Sequence, residues 1–244
     1  MKKLLSYPLT FFFFLFFGLS LLIFHPIQWV CFNLFGYNSH KVSVAILNRF
    51  LMLSTNVLGT RYSFENNQNI PINKPLIIVC NHQSMYDISP IIWFMRKHHP
   101  KFVSKKELGK CIPSVSYNLR HGGSVLIDRK GGKQAILEIG KLGSYIEKYS
   151  RSAVIFPEGT RSRDGNPKPF KPIGLKMLLK KAPSALVVPV TINNSWKLLR
   201  YGKFPMGLGA HLKFKVHPPI ENKGNIDNLI ANVEQQIIKD IVLN

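Results

Sequence analysis

The chain has 244 residues, room for one sizeable domain and an appendage. Its 33 Lys and Arg against 12 Asp and Glu leave a formal charge of +21, which calls for an anionic partner, either nucleic acid or an acidic membrane surface. Three dispersed cysteines, Cys31, Cys80 and Cys111, argue against a disulfide framework and fit a reduced, cytosol-facing domain.

The first acidic residue is Glu65, so the apolar N-terminus carries only basic charge. Lys2 and Lys3 resemble the start of a signal peptide, but no small-residue cleavage site follows, and the segment is expected to be retained. Six phenylalanines stand in the seven positions Phe11–Phe17, favouring lipid over a packed protein interior. Leu9 to Phe24 makes about 24 Å of helix, short of the roughly 30 Å hydrocarbon core. Pro26 is expected to break or kink it, and a second apolar piece, Ile27 to Phe35, ends at Gly36. Two arrangements follow: one kinked span, or a hairpin of two helices embedded in one leaflet. Trp29 and Tyr37 suit the interface in both, and Val42–Leu58 fits a third helix lying along the surface. Residues 1–60 are thus expected to form a membrane-embedded or interfacial unit, and residues 61–244 a separate α/β domain.

Beyond Asn66 short apolar runs alternate with helical patterns, which predicts an α/β fold with a mixed central sheet of about seven strands flanked by helices. The expected strands are Arg61–Phe64, Pro75–Cys80, Lys101–Ser104, Ser124–Asp128, Ala153–Phe156, Leu186–Ile192 and His211–Val216. Helices are expected over Pro90–His98, Lys133–Lys148, Leu175–Lys181 and Ile226–Val242, the last with a clear 3.6-residue stripe. Arg161–Pro172 is polar, basic and punctuated by Gly and Pro, hence a loop.

The second expected strand runs into Asn81-His82-Gln-Ser-Met-Tyr-Asp87. On one continuous helix His82 and Asp87 would stand about 140° apart. A strand-to-helix turn, with Ser84 or Ser89 as the cap, lets the Asp87 carboxylate reach one imidazole nitrogen and leaves the other facing a cleft. This is a Ser-His-Asp arrangement without its nucleophile, and no G-x-S-x-G elbow supplies one. The missing hydroxyl then belongs to the substrate: His82 acts as general base, Asp87 holds its tautomer, and the electrophile arrives activated, as in a thioester. Cys80 reads as a small apolar residue closing the strand rather than as a nucleophile. Phe156-Pro-Glu-Gly-Thr-Arg-Ser162 follows another strand, as does Arg129, and ligand clefts in α/β sheets lie at such strand ends. Glu158 can accept hydrogen bonds from a polyol, Gly159 permits close backbone approach, and Arg129 and Arg161 can grip a phosphate.

NHQSMYD, GSVLIDR, FPEGTRS and ALVVPVTI occur in that order, and over about Pro75 to Ile192 the chain resembles the glycerolipid acyltransferase family, specifically the PlsC-type 1-acyl-glycerol-3-phosphate acyltransferases. The resemblance implies His82 as base with Asp87 as its partner. It implies a glycerol-phosphate site from Arg129, Glu158, Gly159, Thr160 and Arg161, with Lys105, or its neighbour Lys106, approaching the phosphate. It further implies acyl transfer from acyl-coenzyme A or acyl-carrier protein to lysophosphatidic acid, with neither metal nor cofactor, on the cytoplasmic face of the membrane. Two departures leave the acceptor head group open. Phe170-Lys-Pro-Ile-Gly174 is one residue longer than the family's Phe-Lys-x-Gly, and Asn193-Asn-Ser-Trp196 is unusual.

Two other readings remain beside this one. The same chemistry can serve another lysophospholipid or an acylated amino-acid lipid. A non-catalytic anchor can use its basic surface for anionic lipid. Nucleic acid is disfavoured, because the aromatics crowd the lipid-like N-terminus instead of alternating with Lys and Arg on a sheet.

Overall fold

The computed structural model describes residues 1–128 and 132–243. All seven expected strands are present: β1 (Arg61–Glu65), β2 (Leu76–Cys80), β3 (Pro100–Lys105), β4 (Val125–Ile127), β5 (Ser152–Ile155), β6 (Leu186–Asn193) and β7 (His211–Val216), joined by a two-residue β8 (Ile220–Glu221). They form one sheet in the order β1-β7-β6-β2-β5-β3-β4, with β8 beside β6. Strands β6, β2, β5, β3 and β4 run parallel, while β7 pairs antiparallel with β6 and carries β1 with it.

Every residue of β2 is buried, as expected of a central parallel strand covered on both faces. Alternation sorts its side chains into two cores. Leu76, Ile78 and Cys80 join Val188, Val190, Ile192 and Phe214 on one face. Ile77 and Val79 join Ala153, Ile155 and Val187 on the other, under α4 (Gly132–Tyr149), α5 (Pro172–Lys181) and α6 (Ile226–Lys239). Leu229, Ile230, Val233 and Ile237 supply the buried stripe of α6. Helices α2 (Ile88–Phe94) and α3 (Val115–His121) complete the domain, and α3 falls where no helix was expected.

The N-terminal segment α1 (Lys2–Thr55) is two helical arms joined at Gly36. Gly36 has φ 77° and ψ −169°, a backbone state that only glycine adopts cheaply. Pro26, expected to break or kink the helix, does not break it and sits inside the first arm. A missing N–H removes one ladder bond, whereas reversing the chain needs positive φ. The arms run antiparallel: Phe24 meets Phe50, Phe32 meets His40, and Phe24, Leu47 and Leu51 form a small core between them. Ile27–Phe35 therefore finishes the first arm, and Val42–Leu58 belongs to the second rather than to a third helix. One face of the hairpin packs on the domain, where Phe13 is fully buried in the sheet's own core. The other leaves Phe11, Phe12, Leu15, Phe16, Leu22, Leu34 and Phe35 exposed. A continuous apolar face of this extent associates with a membrane.

Candidate active site

Because the central strands are parallel, the segments after β2, β5, β3 and β4 all emerge at one sheet edge, and β6 ends there too. Asn81 fastens this edge: its side chain donates to the Ile192 carbonyl at 2.8 Å and accepts from the Ile192 N–H at 2.7 Å, tying β2 to β6. After Asn81 the chain turns into a short 3-10 turn, Met85–Asp87, capped by Ser84. Of the two expected caps the structure uses Ser84, whose hydroxyl accepts from the Tyr86 N–H at 3.1 Å.

That turn aims Asp87 back at His82. The Asp87 Oδ2 accepts from His82 Nδ1 at 2.8 Å, from the Gln83 N–H at 2.8 Å and from the Ser84 N–H at 3.0 Å. Oδ1 accepts from the Ser195 hydroxyl, which stands just past β6. The carboxylate is fully buried, so these donors replace its lost hydration. The Nδ1–H bond to Asp87 fixes the tautomer, leaving the lone pair on Nε2. The imidazole stacks on Phe156, with centroids 4.1 Å apart and planes 24° from parallel.

The FPEGTRS segment holds the same histidine by its backbone. Glu158 Oε1 accepts from the His82 N–H at 2.6 Å, and the Ser162 N–H donates to the His82 carbonyl at 2.7 Å. Glu158 Oε2 accepts from the Lys168 N–H at 3.0 Å, so one buried carboxylate binds the base to the basic loop. Arg161 reaches the reacting side, its Nε donating toward His82 Nε2 at 3.3 Å. Gly159 has φ 69°, closing the turn that leaves Thr160 and Arg161 exposed at the mouth of the site.

His82, Asp87, Glu158 and Arg161 are therefore in one cluster. Lys105 ends β3, exposed and two strands from β2, on the same edge. Its neighbour Lys106 is ion-paired with Asp128. Arg129 lies outside the described residues. Ser195 and Gln83 were missed by sequence reasoning; Gln83 Oε1 accepts from the Ser195 N–H at 3.1 Å, closing the ring around Asp87. Their signal was the unusual Asn193–Trp196 stretch, whose serine sits where β6 runs out beside β2. Cys80 is fully buried and its thiol is pushed well above its usual range by burial, which keeps it unreactive.

Burial pushes the Glu158 carboxyl from 4.5 up to about 7, against the pull of the His82 and Lys168 N–H groups. An acid whose folded pKa is raised stabilises the fold below its unfolded pKa and loses that contribution as pH rises through the folded value. Between pH 5 and 8 the melting temperature of the wild type should therefore fall relative to that of Glu158→Gln, by the equivalent of at most about 3 kcal/mol. Parallel melting curves for the two proteins across that range would refute the raised pKa.

Curated relatives resemble the chain across this region. A Borreliella burgdorferi protein named 1-acyl-sn-glycerol-3-phosphate acyltransferase is 28% identical over 206 residues, covering 82% of this chain and 80% of that protein. A Helicobacter pylori protein of the same name is 38% identical over 133 residues, 51% of this chain and 54% of that one. The crystal structure of the 1-acyl-sn-glycerophosphate acyltransferase PlsC from Thermotoga maritima superposes with a TM-score of 0.79 at 24% identity. It covers 99% of this chain and 96% of its own, which extends the shared fold to the N-terminal hairpin. The acyltransferase family model matches residues 61–193, from the first residue of β1 to the last of β6. As that match takes in more than half of the sequence, the chain belongs to the acyltransferase family.

Proposed function

We propose that the protein transfers an acyl group from an acyl thioester to the free sn-2 hydroxyl of 1-acyl-glycerol-3-phosphate, giving phosphatidic acid. The observation that carries this reading is the His82–Asp87 pair at 2.8 Å, with no protein hydroxyl or thiol bonded to the other imidazole nitrogen among the described residues. A base without a protein nucleophile serves an alcohol brought by the substrate. His82 Nε2 takes the hydroxyl proton as the oxygen bonds to the thioester carbonyl carbon. The tetrahedral adduct then expels the thiolate, which recovers the proton from the imidazolium and leaves as a free thiol. Asp87 keeps Nδ1 protonated at the start and stabilises the imidazolium in between.

Arg161 contributes twice. In the free protein its guanidinium occupies the Nε2 lone pair; an acceptor phosphate, a stronger partner than a neutral imidazole, draws it aside and frees the base. Gly159, Thr160 and Lys105 complete the proposed phosphate site along the same edge, and the family resemblance adds Arg129 to it. Glu158 acts here through the His82 backbone, since both its oxygens are already bonded to N–H groups. The donor is acyl-coenzyme A or acyl-carrier protein, whose anionic surfaces suit a chain of charge +21. Activity of the purified protein in detergent, with lysophosphatidic acid or lysophosphatidylcholine crossed against the two donors, tests the assignment. Turnover confined to lysophosphatidylcholine would reject the acceptor.

Residues 1–60 are read as a membrane unit and residues 61–244 as the catalytic domain, with the hairpin lying in one leaflet and the domain on the cytoplasmic face. Leu34 and Phe35 are each 67% exposed beside the Gly36 turn. Replacing both with glutamate should weaken binding to phosphatidylcholine vesicles at least about 100-fold, given about 1.5–3 kcal/mol for each buried apolar side chain. Turnover on detergent-dispersed substrate should be retained. Unchanged flotation of the double variant with vesicles would contradict the hairpin's role.

A further inference from the structure

A second group of cations lies at the opposite edge of the sheet, where the parallel strands begin. Lys101 is the second residue of β3, four residues and about 13 Å from Lys105 along the strand. Arg151 immediately precedes β5, and the hairpin turn brings Tyr37, His40 and Lys41 against both. Lys101 is only 6% exposed and donates no hydrogen bond among the described residues; its Nζ lies 4.9 Å above the Tyr37 ring. Arg151 stacks on the same ring at 3.7 Å, and Lys41 Nζ donates to His99 Nε2 at 3.1 Å. His40 is 1% exposed, and its Nε2 has no hydrogen-bond partner among the described residues.

Among the described residues no ion pair includes Lys41, Arg96, Lys101 or Arg151. Burial, helped by Arg151 and Lys41, lowers the Lys101 ammonium from 10.5 to about 7, the behaviour of a cation lacking a counter-charge. Keeping several cations together without an acid is unfavourable unless an anion joins them. His40, Lys41, Arg96, His99 and Lys101 line a pocket with an empty volume of about 410 Å³ counting the solvent at its mouth. A cluster of cations without a counter-charge suits a terminal phosphate, with up to two charges and three bare oxygens, better than one esterified to choline or glycerol.

We infer that this pocket binds the phosphate monoester headgroup of a membrane lipid, such as phosphatidic acid, at a site separate from the catalytic one. Lys101 and His40 form its floor, and Lys41 and Arg96 its rim. A lipid source is favoured over free phosphate because the wall of the pocket is the hairpin itself. Val42 and Ile46, on the arm that carries His40 and Lys41, are 51% and 40% exposed, and the neighbouring Leu34 and Phe35 are more exposed still. The arm that supplies His40 and Lys41 to the pocket thus also carries exposed apolar side chains, and basic and apolar groups side by side suit the level at which headgroup phosphates lie. The inference rests on membrane docking of the hairpin and not on the acyl-transfer reading.

Vesicle binding of the full-length chain tests it, with phosphatidylcholine alone or carrying equal net charge as phosphatidic acid or as phosphatidylglycerol. The wild type should prefer phosphatidic acid over phosphatidylglycerol by about tenfold, roughly the strength of one charge-assisted hydrogen bond. Lys101→Met should abolish that preference and Arg96→Gln should reduce it. Lys180→Gln, a control at an exposed position on α5, should leave it intact. Lys101→Met should also melt higher than wild type in lipid-free detergent, because it removes a buried unpaired cation; that result shows the variant is folded. Equal binding of the two anionic lipids, or a preference surviving Lys101→Met, overturns the proposal. So does inorganic phosphate binding at the pocket as tightly as the lipid does. Loss of binding to all vesicles would instead strike at the membrane-docking reading.

Discussion

His82→Ala should lower acyl transfer by about 10²–10⁴-fold while leaving vesicle binding close to that of the wild type and lowering the melting temperature only modestly. The residue is buried and stacks on Phe156, so the truncation leaves a cavity beside that ring and takes one donor from the Asp87 carboxylate. The backbone bonds from His82 to Glu158 and Ser162 do not involve the imidazole and should persist in the variant. The loss should appear in kcat more than in KM, because the ring acts on the proton in flight and not on the bound phosphate. Turnover is measured by release of free thiol from acyl-coenzyme A. A variant that keeps most of its turnover would remove general-base catalysis from the mechanism. A non-catalytic anchor would show no thiol release in the wild type either.

Asp87→Asn should be nearly as damaging, with kcat lower by about 10³–10⁴-fold, the scale found when a triad carboxylate becomes an amide. The amide keeps the size of the carboxylate but not its acceptor set. Asp87 accepts from His82, Gln83, Ser84 and Ser195, and an asparagine must turn its NH₂ toward some of these donors. If the NH₂ meets Nδ1, the imidazole adopts the other tautomer and Nε2 carries the proton, so it no longer serves as a base. Raising the pH should recover little activity, because the defect lies in proton placement and not in an ionisation. The variant should also melt lower than wild type, since at least one buried N–H or hydroxyl loses its partner. Near-normal turnover in a folded Asp87→Asn protein would mean that Asp87 only shapes the turn.

Much of this was legible in the sequence because each strand announces itself locally. Leu76–Cys80 is a continuous apolar run and Leu186–Asn193 is one up to Val190, as parallel strands covered on both faces require, and the turn after the first carries its own cap in Ser84. The pairing of His82 with Asp87 was readable for the same reason, since both lie within one turn. Long-range partners were not. The Ser195 hydroxyl meets Asp87 from 108 residues away, and only the strand order β6-β2-β5 brings them together. Glu158 shows the limit from the other side. Its position beside the site was foreseeable, but that both its oxygens would be taken by backbone N–H groups depends on the path of the loop through Lys168. Pro26 was expected to break or kink the helix and does not break it; the reversal falls at Gly36, which looked like an ordinary end to an apolar run.

The reversal at Gly36 also bears on how the polypeptide is made. Both ends of the hairpin meet the same stretch of the domain: Tyr7 packs on Phe204, the Met206 N–H donates to Thr10, and the Gly209 N–H donates to the Leu58 carbonyl. With the hairpin lying in one leaflet as proposed, Thr10 and Leu58 stand on the same side of the lipid, because both contact the domain between Phe204 and Gly209. On that reading the hairpin can dock on the lipid after the α/β domain has folded, since its two attachment points are both contacts with that domain.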